Sequence, residues 1–538
     1  MKKSNETNAL SDELVEQHVA EEKISAEEVN EIMAKYDRES AVRIFSGNKA
    51  LLVKLLLVAF TVFAVAINTV VHLNAQVHRT TFIAFVLFLA YLLYPAKKDA
   101  PKNTNKVPLL DMILAFASAG SFLYMGINYE QLVAQAGNYT QIDIAVAMVA
   151  IVLLFEACRR VVGTPILIVV GCFIAYAYFG NMIPGTFGHR GFSIQRIATH
   201  LYFTTEGIIG TPLAVCSTFI FLFILFGAFL ERTGVGQFFI DIANSIAGKM
   251  TGGPAKVAVI SSALQGMITG SSVANTVGSG SFTIPMMKKL GYKGEFAGAV
   301  EAAASTGGQL MPPIMGAAAF LMAESLGLPY VTIVKAAVVP ALLYFTGIFL
   351  TVHLEAHKLG LKGLPREQLP AFLPLFLKQG YMLLPLVVII VFLCMGKTAV
   401  FAALMGIVAC LAIGVVTSIV NILQKQQPKF GFNDILEVMT TAARNIISVA
   451  IACAMAGIII GIVTLTGIGL KFGAGLISIS HGIAFITLFL TMVSSIILGM
   501  GAPTTANYLI TSTITASAII GLGFQPLAAH MFAFYFGI

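Results

Sequence analysis

Two short motifs rich in glycine, hydroxyl and amide residues interrupt apolar sequence in this chain. The first, GSSVANT, runs from Gly270 to Thr276, and the second, GAPTTAN, runs from Gly501 to Asn507. Hydroxyl and amide oxygens, with carbonyls freed at a helix break, are hard ligands that suit a small dehydrated cation such as Na⁺. A helix beginning after each motif would also present free N–H groups and the positive end of its dipole to a carboxylate. The motifs therefore predict a site for Na⁺ and an organic anion, although small residues also occur where membrane helices pack closely.

Composition indicates that the elements around the motifs lie in a membrane. Apolar residues make up 57% of the 538 residues and charged residues 11%, against roughly 25% charged residues in soluble proteins. Many stretches approach or exceed the ~18 apolar residues of a membrane-spanning helix. Broken helices at membrane depth are tolerated where they line a cavity, and in two corresponding halves they indicate a transporter's binding site. The expected fold class is an all-α polytopic membrane protein.

The charges predict the orientation of the chain. Residues 1–50 carry seven Lys and Arg against eleven Asp and Glu and lack the apolar core of a secretory signal peptide. We therefore expect an acidic, helical cytosolic arm. The remainder has a positive excess in short loops that follow alternate apolar segments. This arrangement fits the positive-inside rule better than nucleic-acid binding, and it places the N-terminus in the cytoplasm.

The apolar segments divide the chain into a four-helix unit and a larger remainder of two halves. Glycine-interrupted pieces in each half predict a re-entrant hairpin. After the cytosolic arm at 1–50, the expected parts are a four-helix membrane domain at 51–160, a connecting helix and interfacial segment at 161–212, a first half at 213–355 with a hairpin at 257–287, a cytoplasmic linker at 356–378, and a second half at 379–538 with a hairpin at 482–520.

The first hairpin is predicted from segments that are too short to cross the membrane. Val257–Thr269 and Val277–Met287 hold 13 and 11 residues, and at ~1.5 Å per residue neither crosses ~30 Å of hydrocarbon. We therefore expect a chain that enters from the cytoplasm, turns within Gly270–Gly280 and returns. Two glycines and two prolines in Gly307–Pro313 then predict a helix break near the middle of the bilayer.

The second half repeats the first in order. Asn275 is followed 16 residues later by Gly291, and Asn507 is followed 16 residues later by Gly523. Segment parity puts the second hairpin on the opposite face, which is the pattern of an inverted-topology repeat. The counterpart of the prolines at 312–313 would fall near position 543, beyond the end of the chain. The sequence is therefore expected to be a fragment whose second half is incomplete at the C-terminus.

Few charged residues lie within apolar sequence. Glu301 precedes the predicted break, and the sequence leaves open whether it lies at membrane depth, where a carboxylate is functional by default, or near the cytoplasmic end. Arg444 could meet a substrate carboxylate, or it could snorkel from an early position in its segment. The six cysteines lack metal-ligand spacing. No HExxH, GxSxG or P-loop motif is present, so the sequence predicts no enzyme and no ATP-driven mechanism.

The residues from about 205 to the end resemble the large permease subunit of tripartite ATP-independent periplasmic (TRAP) transporters. The resemblance is most specific at three stretches, SSVAN at 271–275, GGQLMPP at 307–313 and PTTAN at 503–507. Residues 51–158 look like the four-helix small subunit, joined here to the large one, as in TRAP permeases that work with TAXI-type binding proteins. The fold then implied is a four-helix small-subunit-like unit plus an inverted-repeat permease unit with two re-entrant hairpins and broken helices.

The resemblance implies a multi-pass permease in the cytoplasmic (inner) membrane of a bacterium or archaeon. It would import organic acid anions, such as C4-dicarboxylates, 2-oxo acids or glutamate-like compounds, by an elevator-like motion. Na⁺ would be the coupling ion rather than a prosthetic group. An extracytoplasmic TAXI-type binding protein would deliver the substrate. Membrane lipid and the organic acid are the other partners implied, and no nucleic acid is among them.

The family's site residues carry over to polar positions of the two motifs and of the first break. Together with the candidate Arg444, the positions implied for substrate are Ser271, Ser272, Asn275, Thr505 and Asn507. The positions implied for the cation are Ser272, Asn275, Thr276, Gly308, Pro312, Thr504, Thr505 and Asn507.

Two other functions stay open. A binding-protein-independent dicarboxylate or ion symporter also uses paired hairpins with Ser-Asn-Thr tips, although the four additional N-terminal helices argue against it. The chain could instead be a non-transporting membrane subunit that scaffolds a larger complex. In that case alanine at Asn275 and at Asn507 would leave any cellular phenotype intact.

Overall fold

The described part of the chain is built from helices joined by short loops. The computed structural model describes residues 42–71, 73–96, 105–424, 430–500 and 504–538. All regular elements in these ranges are helices, and ten of them are long and apolar enough to cross a membrane. The predicted class, an all-α polytopic membrane protein, is confirmed. Most of the acidic arm, the basic loop at 97–104 and the Gly501–Pro503 start of the second motif lie outside the described residues.

The first four long helices form one bundle. They are α1 Asn48–Thr69, α2 Ala75–Leu93, α3 Leu109–Ile127 and α5 Gln141–Val161, with the short α4 Tyr129–Ala134 before the last of them. α2 lies against the other three and buries most of its side chains, because apolar residues occur on all of its faces. The bundle is tied to the rest of the chain, since the Thr61 hydroxyl donates to the Met439 carbonyl at 2.8 Å.

Buried ion pairs close one end of this bundle. Asp111, at the start of α3, accepts hydrogen bonds from Arg160 at 2.8 Å and also from Arg43. Arg160 in turn reaches Glu156 at 2.8 Å. Charges withdrawn from water are tolerated when they are paired and hydrogen-bonded in this way. Asp111 and Glu156 are therefore structural partners, as expected of charged residues near segment ends.

A bent connection leads from the bundle into the first half. α6 Thr164–Phe179 has a proline in its first turn, where the missing N–H is not needed. α7 Ile194–Phe203 begins at Ser193, whose side chain accepts from the Arg196 N–H, and it packs on α5. α8 Thr211–Arg232 and α9 Val235–Ala247 follow.

The first hairpin consists of α10 Gly253–Thr269 and α11 Ser272–Leu290. Only two residues separate them, and Gly270 adopts φ 60°, the left-handed conformation that glycine accepts readily. The limbs hold 17 and 19 residues, so the predicted lengths of 13 and 11 are wrong, and the turn takes up only the start of the predicted stretch Gly270–Gly280. The physical reason is that small residues permit close helix contact. A Cβ on Gly280 would lie 2.9 Å from the Glu301 side chain of the next helix, so this glycine stays helical instead of ending α11.

The next helix, α12 Gly294–Gly308, ends in the predicted break. Residues 309–315 are not helical, α13 Gly316–Leu326 follows, and α14 Tyr330–Lys358 is a long crossing helix. The Tyr330 hydroxyl lies 2.9 Å from the Pro313 carbonyl and 2.6 Å from the Ile314 carbonyl. A side chain from the following helix thus satisfies backbone groups that the break leaves open.

Part of the second half repeats the order of elements seen in the first. They are α15 Phe372–Cys394, α16 Ala399–Leu423, α17 Phe432–Thr466, α18 Ile468–Ile479, α19 Ala484–Gly499, α20 Thr504–Ile514, α21 Ala516–Gly521 and α22 Pro526–Gly537. α19 and α20 correspond to α10 and α11, and α22 corresponds to α12. α17 is 35 residues long and is mostly buried, because α1, α5, α8 and α20 surround it. It forms the centre of the core.

Candidate functional site

Asn275 is the deepest-buried polar side chain of the first motif. Ser271 caps α11 by accepting from the Ala274 N–H at 3.3 Å, which sets Asn275 one turn into the helix. Asn275 is 1% exposed, and its Nδ2 donates to the Ser262 carbonyl at 2.8 Å. Its Oδ1 is buried and has no hydrogen-bond partner among the described residues. Because buried polar atoms nearly always find a partner, this oxygen is a candidate ligand for a cation.

Two glycines bring the first helix break to Asn275. α10 and α12 touch at Gly266 and Gly308, where a Cβ built on Gly266 would lie 2.3 Å from the Gly308 Cα. A Cβ on Gly308 would lie 3.0 Å from the Asn275 Nδ2. Only residues without a side chain permit backbones to approach this closely. The structure thus brings together Asn275 and Gly308, two of the predicted cation ligands.

The remaining predicted residues of the first half lie at the hairpin tip and in the break. Ser272 and Thr276 are half-buried, and the Thr276 hydroxyl donates to the Ser272 carbonyl at 2.8 Å within its own helix. The tip meets the far side of the break, since a Cβ on Gly270 would lie 2.6 Å from the Gly316 Cα. Pro312 lies in the break itself, and within the described residues no hydrogen bond joins it to the motif.

Asn507 repeats the environment of Asn275 in the second half. Asn507 is 3% exposed, its Nδ2 donates to the Gly537 carbonyl, and its Oδ1 has no hydrogen-bond partner in the part of the chain that the structure describes. A Cβ on Gly499 would lie 2.0 Å from the Gly537 oxygen and 2.9 Å from the Asn507 Nδ2. Gly537 therefore stands beside Asn507 as Gly308 stands beside Asn275.

The two hairpins also share a row of polar residues at a spacing of four, an asparagine followed by two hydroxyl residues. Each hydroxyl lies within hydrogen-bond distance of the carbonyl four residues earlier, at 2.7–3.0 Å. The rows are Asn275, Ser279 and Thr283 in the first half and Asn507, Thr511 and Thr515 in the second. This spacing is legible in the sequence, because residues four apart share one face of a helix, but sequence reasoning stopped at the motifs and missed it.

A hydrogen bond joins the second motif to the first break. The Thr504 hydroxyl donates to the Gln309 Oε1 at 2.6 Å. Gln309 is 5% exposed and Thr504 is half-buried. Gln309 was not among the predicted site residues, although it lies within the GGQLMPP stretch. The second motif thus contacts the residue that follows Gly308 of the first candidate cation site.

Glu301 lies inside the first half rather than at its cytoplasmic end. Its carboxylate is fully buried and is surrounded by hydroxyls of α10, α11 and α12. Ser262 donates to its Oε1 at 2.8 Å and Ser305 donates at 3.1 Å, and the Ser279 and Thr283 hydroxyls also contact the carboxylate. No Lys, Arg or His of the described residues forms an ion pair with it. The corresponding helix α22 contains no acidic residue, so this cluster belongs to the first half alone.

Arg444 is not brought to either motif. It is the thirteenth of the 35 residues of α17 and is exposed. Its electrostatic neighbour is Tyr94, which follows the last residue of α2. Among the described residues no hydrogen bond or ion pair links Arg444 to the hairpin tips. The prediction that it meets a substrate carboxylate therefore has no support from its position.

Comparison with known proteins agrees with the motifs. The model of the family described as "Tripartite ATP-independent periplasmic transporter, DctM component" matches residues 149–538. The chain belongs to this family. The predicted resemblance of the larger part to TRAP large permease subunits is confirmed. The match begins within α5, so α1, α2 and α3 precede it, and their resemblance to a fused small subunit stays a prediction.

Individual relatives carry TRAP permease names. A C4-dicarboxylate TRAP transporter large permease protein DctM of Pseudomonas aeruginosa is 32% identical over 200 residues, which are 37% of this chain and 44% of that protein. A sialic acid TRAP transporter large permease protein SiaM of Vibrio cholerae is 28% identical over 171 residues, 31% of this chain and 39% of that protein. An isethionate TRAP transporter permease protein DctMQ of Oleidesulfovibrio alaskensis is 33% identical over 91 residues, 17% of this chain and 14% of that protein.

The chain spans less than half the length of the curated relatives that it matches. These relatives are named as transporter permeases and not as enzymes, which agrees with the lack of enzymatic motifs in the sequence.

Proposed function

We propose that this chain is the permease of a secondary transporter that imports organic acid anions together with Na⁺. The observation that carries the proposal is the pair of buried asparagines, Asn275 and Asn507. The Oδ1 of each has no hydrogen-bond partner within the described ranges, and each side chain lies beside a glycine, Gly308 of α12 or Gly537 of α22. A buried acceptor without a partner costs about 1–3 kcal/mol. A cation would supply the missing partner in both halves.

The donor set around each asparagine suits Na⁺, which is cargo here and not a resident cofactor. In the first half Asn275 would hold it with Ser272, Thr276, Gly308 and Pro312, through amide, hydroxyl and backbone oxygens. In the second half the oxygens would come from Thr504, Thr505 and Asn507. Oxygen ligands without a thiolate or imidazole favour hard cations. Bound Na⁺ would contribute positive charge that draws an anion to the same place.

The anion would lie at the hairpin tips. α11 and the described part of α20 begin at the motifs, so their free N–H groups and dipoles are available to a carboxylate. Ser271, Ser272 and Thr505 add hydroxyl donors beside them, with Asn275 and Asn507 behind. Arg444 has no part in this proposal, because its neighbours belong to the four-helix bundle.

The hydrophobic core supports an elevator-like motion of the first hairpin. Side chains of α10, α11, α12 and α14 form a core cluster of their own, whereas α20 and α22 of the second half contribute to the large cluster built around α17 and the bundle. A unit with its own core can move as a body, since helices inside it keep their contacts. In the proposed mechanism the bundle stays fixed while the hairpin-bearing helices carry the cargo across.

The partner would be an extracytoplasmic binding protein, of the TAXI type implied by the fused arrangement, and the N-terminus would lie in the cytoplasm of the bacterial or archaeal cell. The names of the relatives suggest C4-dicarboxylates and other small organic acids as substrates. A transporter that takes its substrate from such a protein needs few discriminating groups of its own, which agrees with the small polar set at the tips.

Uptake by cells of the source organism tests the proposal with any partner protein in place. A strain lacking the gene is complemented with the natural chain, Asn275→Ala, Asn507→Ala or the matched control Asn138→Ala, an exposed asparagine. Labelled succinate, 2-oxoglutarate, sialic acid and isethionate are then offered in Na⁺ and in K⁺ medium. We expect Na⁺-dependent uptake of one of them with the natural chain and the control, and a loss of about tenfold or more in each site variant, the equivalent of ~1.4 kcal/mol.

The outcomes separate the alternatives. Equal uptake in Na⁺ and K⁺ would contradict Na⁺ coupling. Uptake that persists in spheroplasts washed free of soluble extracytoplasmic proteins would favour the binding-protein-independent symporter. An unchanged phenotype in both asparagine variants would favour the scaffold subunit.

A further inference from the structure

Glu301 and the hydroxyls around it, here called the Glu301 cluster, form a buried polar group that takes no part in the proposed Na⁺ and anion sites. The carboxylate is fully buried, and both of its oxygens are contacted by hydroxyls: Ser262, Ser279 and Ser305 at Oε1, and Thr283 at Oε2. An ionised carboxylate in an apolar region needs compensation by charge or by several hydrogen bonds.

The cluster is too closely packed to hold a metal ion of its own. The Ser262 and Ser279 hydroxyls lie 3.0 Å apart, and a Cβ added to Gly280 would lie 2.9 Å from the Glu301 Cγ. A cation would have to separate oxygens that already hydrogen-bond to one another. A proton needs no such space, so the ligand that this geometry accepts is a proton on the carboxylate.

Two of the four hydroxyls have a backbone acceptor in addition to the carboxylate. Each hydroxyl carries one hydrogen. With an ionised carboxylate the hydroxyls point their hydrogens at Glu301. With a protonated one, Ser279 can donate to the Asn275 carbonyl at 2.8 Å, Thr283 to the Ser279 carbonyl at 3.0 Å, and the acid O–H can donate to a hydroxyl oxygen. The cluster can therefore hold either charge state through rotation of hydroxyl hydrogens.

The same contacts connect the cluster to the candidate cation site. The Ser279 hydroxyl lies within hydrogen-bond distance of the Asn275 carbonyl, and the Ser262 carbonyl accepts from the Asn275 Nδ2. A change of charge at Glu301 therefore acts on Asn275 both through space and through the direction of these hydrogen bonds.

The other ionisable groups on the surrounding helices are engaged elsewhere or lie at their ends. On α10, Lys256 contacts the His353 Nδ1 of α14 at 2.9 Å. On α11, Lys288 and Lys289 are exposed in the last turn. On α14, the Tyr344 hydroxyl donates to the Ala303 carbonyl at 2.9 Å, and on α12 itself the other carboxylate, Glu295, is exposed.

We propose that Glu301 takes up a proton from water and releases it again, and that this proton and the Na⁺ at Asn275 weaken each other's binding. The inference rests on the proposed Na⁺ site. Uptake converts the carboxylate and one H⁺ into the neutral acid, with no other bond formed or broken. The ionised form adds negative charge near the cation site, so Na⁺ affinity rises with pH and falls on protonation. Linkage makes the effect reciprocal, so that Na⁺ binding lowers the affinity of Glu301 for its proton.

Infrared difference spectroscopy on the purified chain tests the proton site without any substrate. The natural chain should show a protonated-carboxyl C=O band that appears as the pH is lowered and that is missing in Glu301→Gln. The matched control Glu295→Gln, on the same helix, should keep the band. Ser305→Ala, which retains the carboxylate but removes one donor to its ionised form, should shift the band's midpoint to higher pH. An unchanged band in Glu301→Gln would overturn the proton site. Should that variant not fold, an unshifted midpoint in Ser305→Ala would overturn it instead.

Na⁺ titrations, read by thermal stabilisation against matched KCl, test the linkage. As the pH is raised, we expect the Na⁺ affinity of the natural chain and of Glu295→Gln to rise by roughly 5- to 150-fold, the usual range of coupling between sites. In Glu301→Gln the affinity should be weak and independent of pH. Na⁺ binding that is independent of pH in the natural chain would overturn this inference and leave the proposed function intact. If neither the natural chain nor Asn275→Ala bound Na⁺ at any pH, the proposed Na⁺ site would be overturned instead.

Discussion

The Thr504 hydroxyl donates a hydrogen bond to the Gln309 Oε1 at 2.6 Å, although 195 residues separate the two in the chain. Thr504 opens the described part of the second motif, and Gln309 opens the first helix break. Thr504 lies three residues before Asn507, and Gln309 follows Gly308, which stands beside Asn275. Through this contact, cation binding in one half can affect the structure of the other half.

We expect Gln309→Ala and Thr504→Val to weaken coupling between the halves. A single hydrogen bond contributes about 0.5–1.5 kcal/mol, and removal of either partner removes the same bond. The double variant should thus be no less stable than the worse single one, so the two effects should fail to add. The measurement is a double-mutant cycle on thermal stability in saturating NaCl.

The control for this cycle is Thr346→Val, which removes a hydroxyl that bonds only to the Leu342 carbonyl of its own helix. Its effect should add to that of Gln309→Ala. Additive effects in the Gln309 and Thr504 pair would mean that the bond contributes nothing to stability.

The contact between α10 and α12 predicts a strong effect of one methyl group. Gly266→Ala places a Cβ 2.3 Å from the Gly308 Cα, and backbone at that position cannot yield without separating the helices. We expect a loss of more than ~2 kcal/mol of stability, in the range of severe overpacking, together with loss of Na⁺-dependent stabilisation. The measurement is the melting temperature of the purified chain with NaCl and with KCl.

Gly298→Ala is the matched control, because a Cβ at this α12 position meets nothing within 4 Å. Alanine in an open helical position should leave stability unchanged or raise it by about 0.5–1 kcal/mol. If the two alanine variants melted at the same temperature, the close approach at Gly308 would not exist in solution.

The helix break and the asparagine sites were within reach of sequence reasoning. Two glycines and two prolines within Gly307–Pro313 disfavour a continuous helix, and α12 ends at Gly308. Gly308 lies in a motif whose glycines permit close backbone contact. Asn275 lies in a motif whose amide and hydroxyl oxygens suit the cation binding that we propose. The repeat at Asn507 was equally legible, since its spacing to the following glycine matches that of Asn275.

The environment of Glu301 was not within reach, because it is assembled from three helices. Ser262 lies 39 residues away in the chain, and nothing in the local sequence says that its hydroxyl faces the carboxylate. The lengths of the hairpin limbs failed for a related reason. The sequence places Gly280 at the end of the stretch predicted to contain the turn, whereas its close approach to Glu301 of α12 is accommodated within a continuous helix. Only tertiary contacts decide between a glycine that ends a helix and one that admits a neighbour.

The bundle should depend on Asp111. This carboxylate pairs with both Arg43 and Arg160, and all three side chains are at most 4% exposed. Asp111→Asn would leave two buried cations without their shared counter-charge, and breaking a buried ion pair costs about 3–5 kcal/mol. We expect poor accumulation in the membrane and a melting temperature lowered by many degrees, measured on the detergent-purified variant.

The comparison for Asp111 is Glu355→Gln, which removes a surface pair with Lys358 at 3.5 Å. Pairs of this kind contribute about 0–1 kcal/mol, so this variant should behave like the natural chain. Equal stability of the two variants would show that the Arg residues find other partners once Asp111 is neutral.

The contact of α7 with α17 should be sensitive to acid through His200. Its Nε2 lies 3.0 Å from the Gly461 carbonyl, and burial lowers the pKa of His200 below its ordinary value, against the opposing effects of this carbonyl and of Glu206. As the pH falls through the ordinary value of about 6.5, the unfolded chain takes up this proton before the folded chain does. Stability therefore falls with the pH over that window until the pH reaches the lowered pKa, below which the loss is complete.

His200→Asn should reduce this acid sensitivity of the melting temperature. The control His481→Asn should retain it, because His481 is exposed and its φ of 51° is one that asparagine tolerates. If His200→Asn and the natural chain lost stability equally between neutral and mildly acidic pH, the histidine would not be the group that acid acts on.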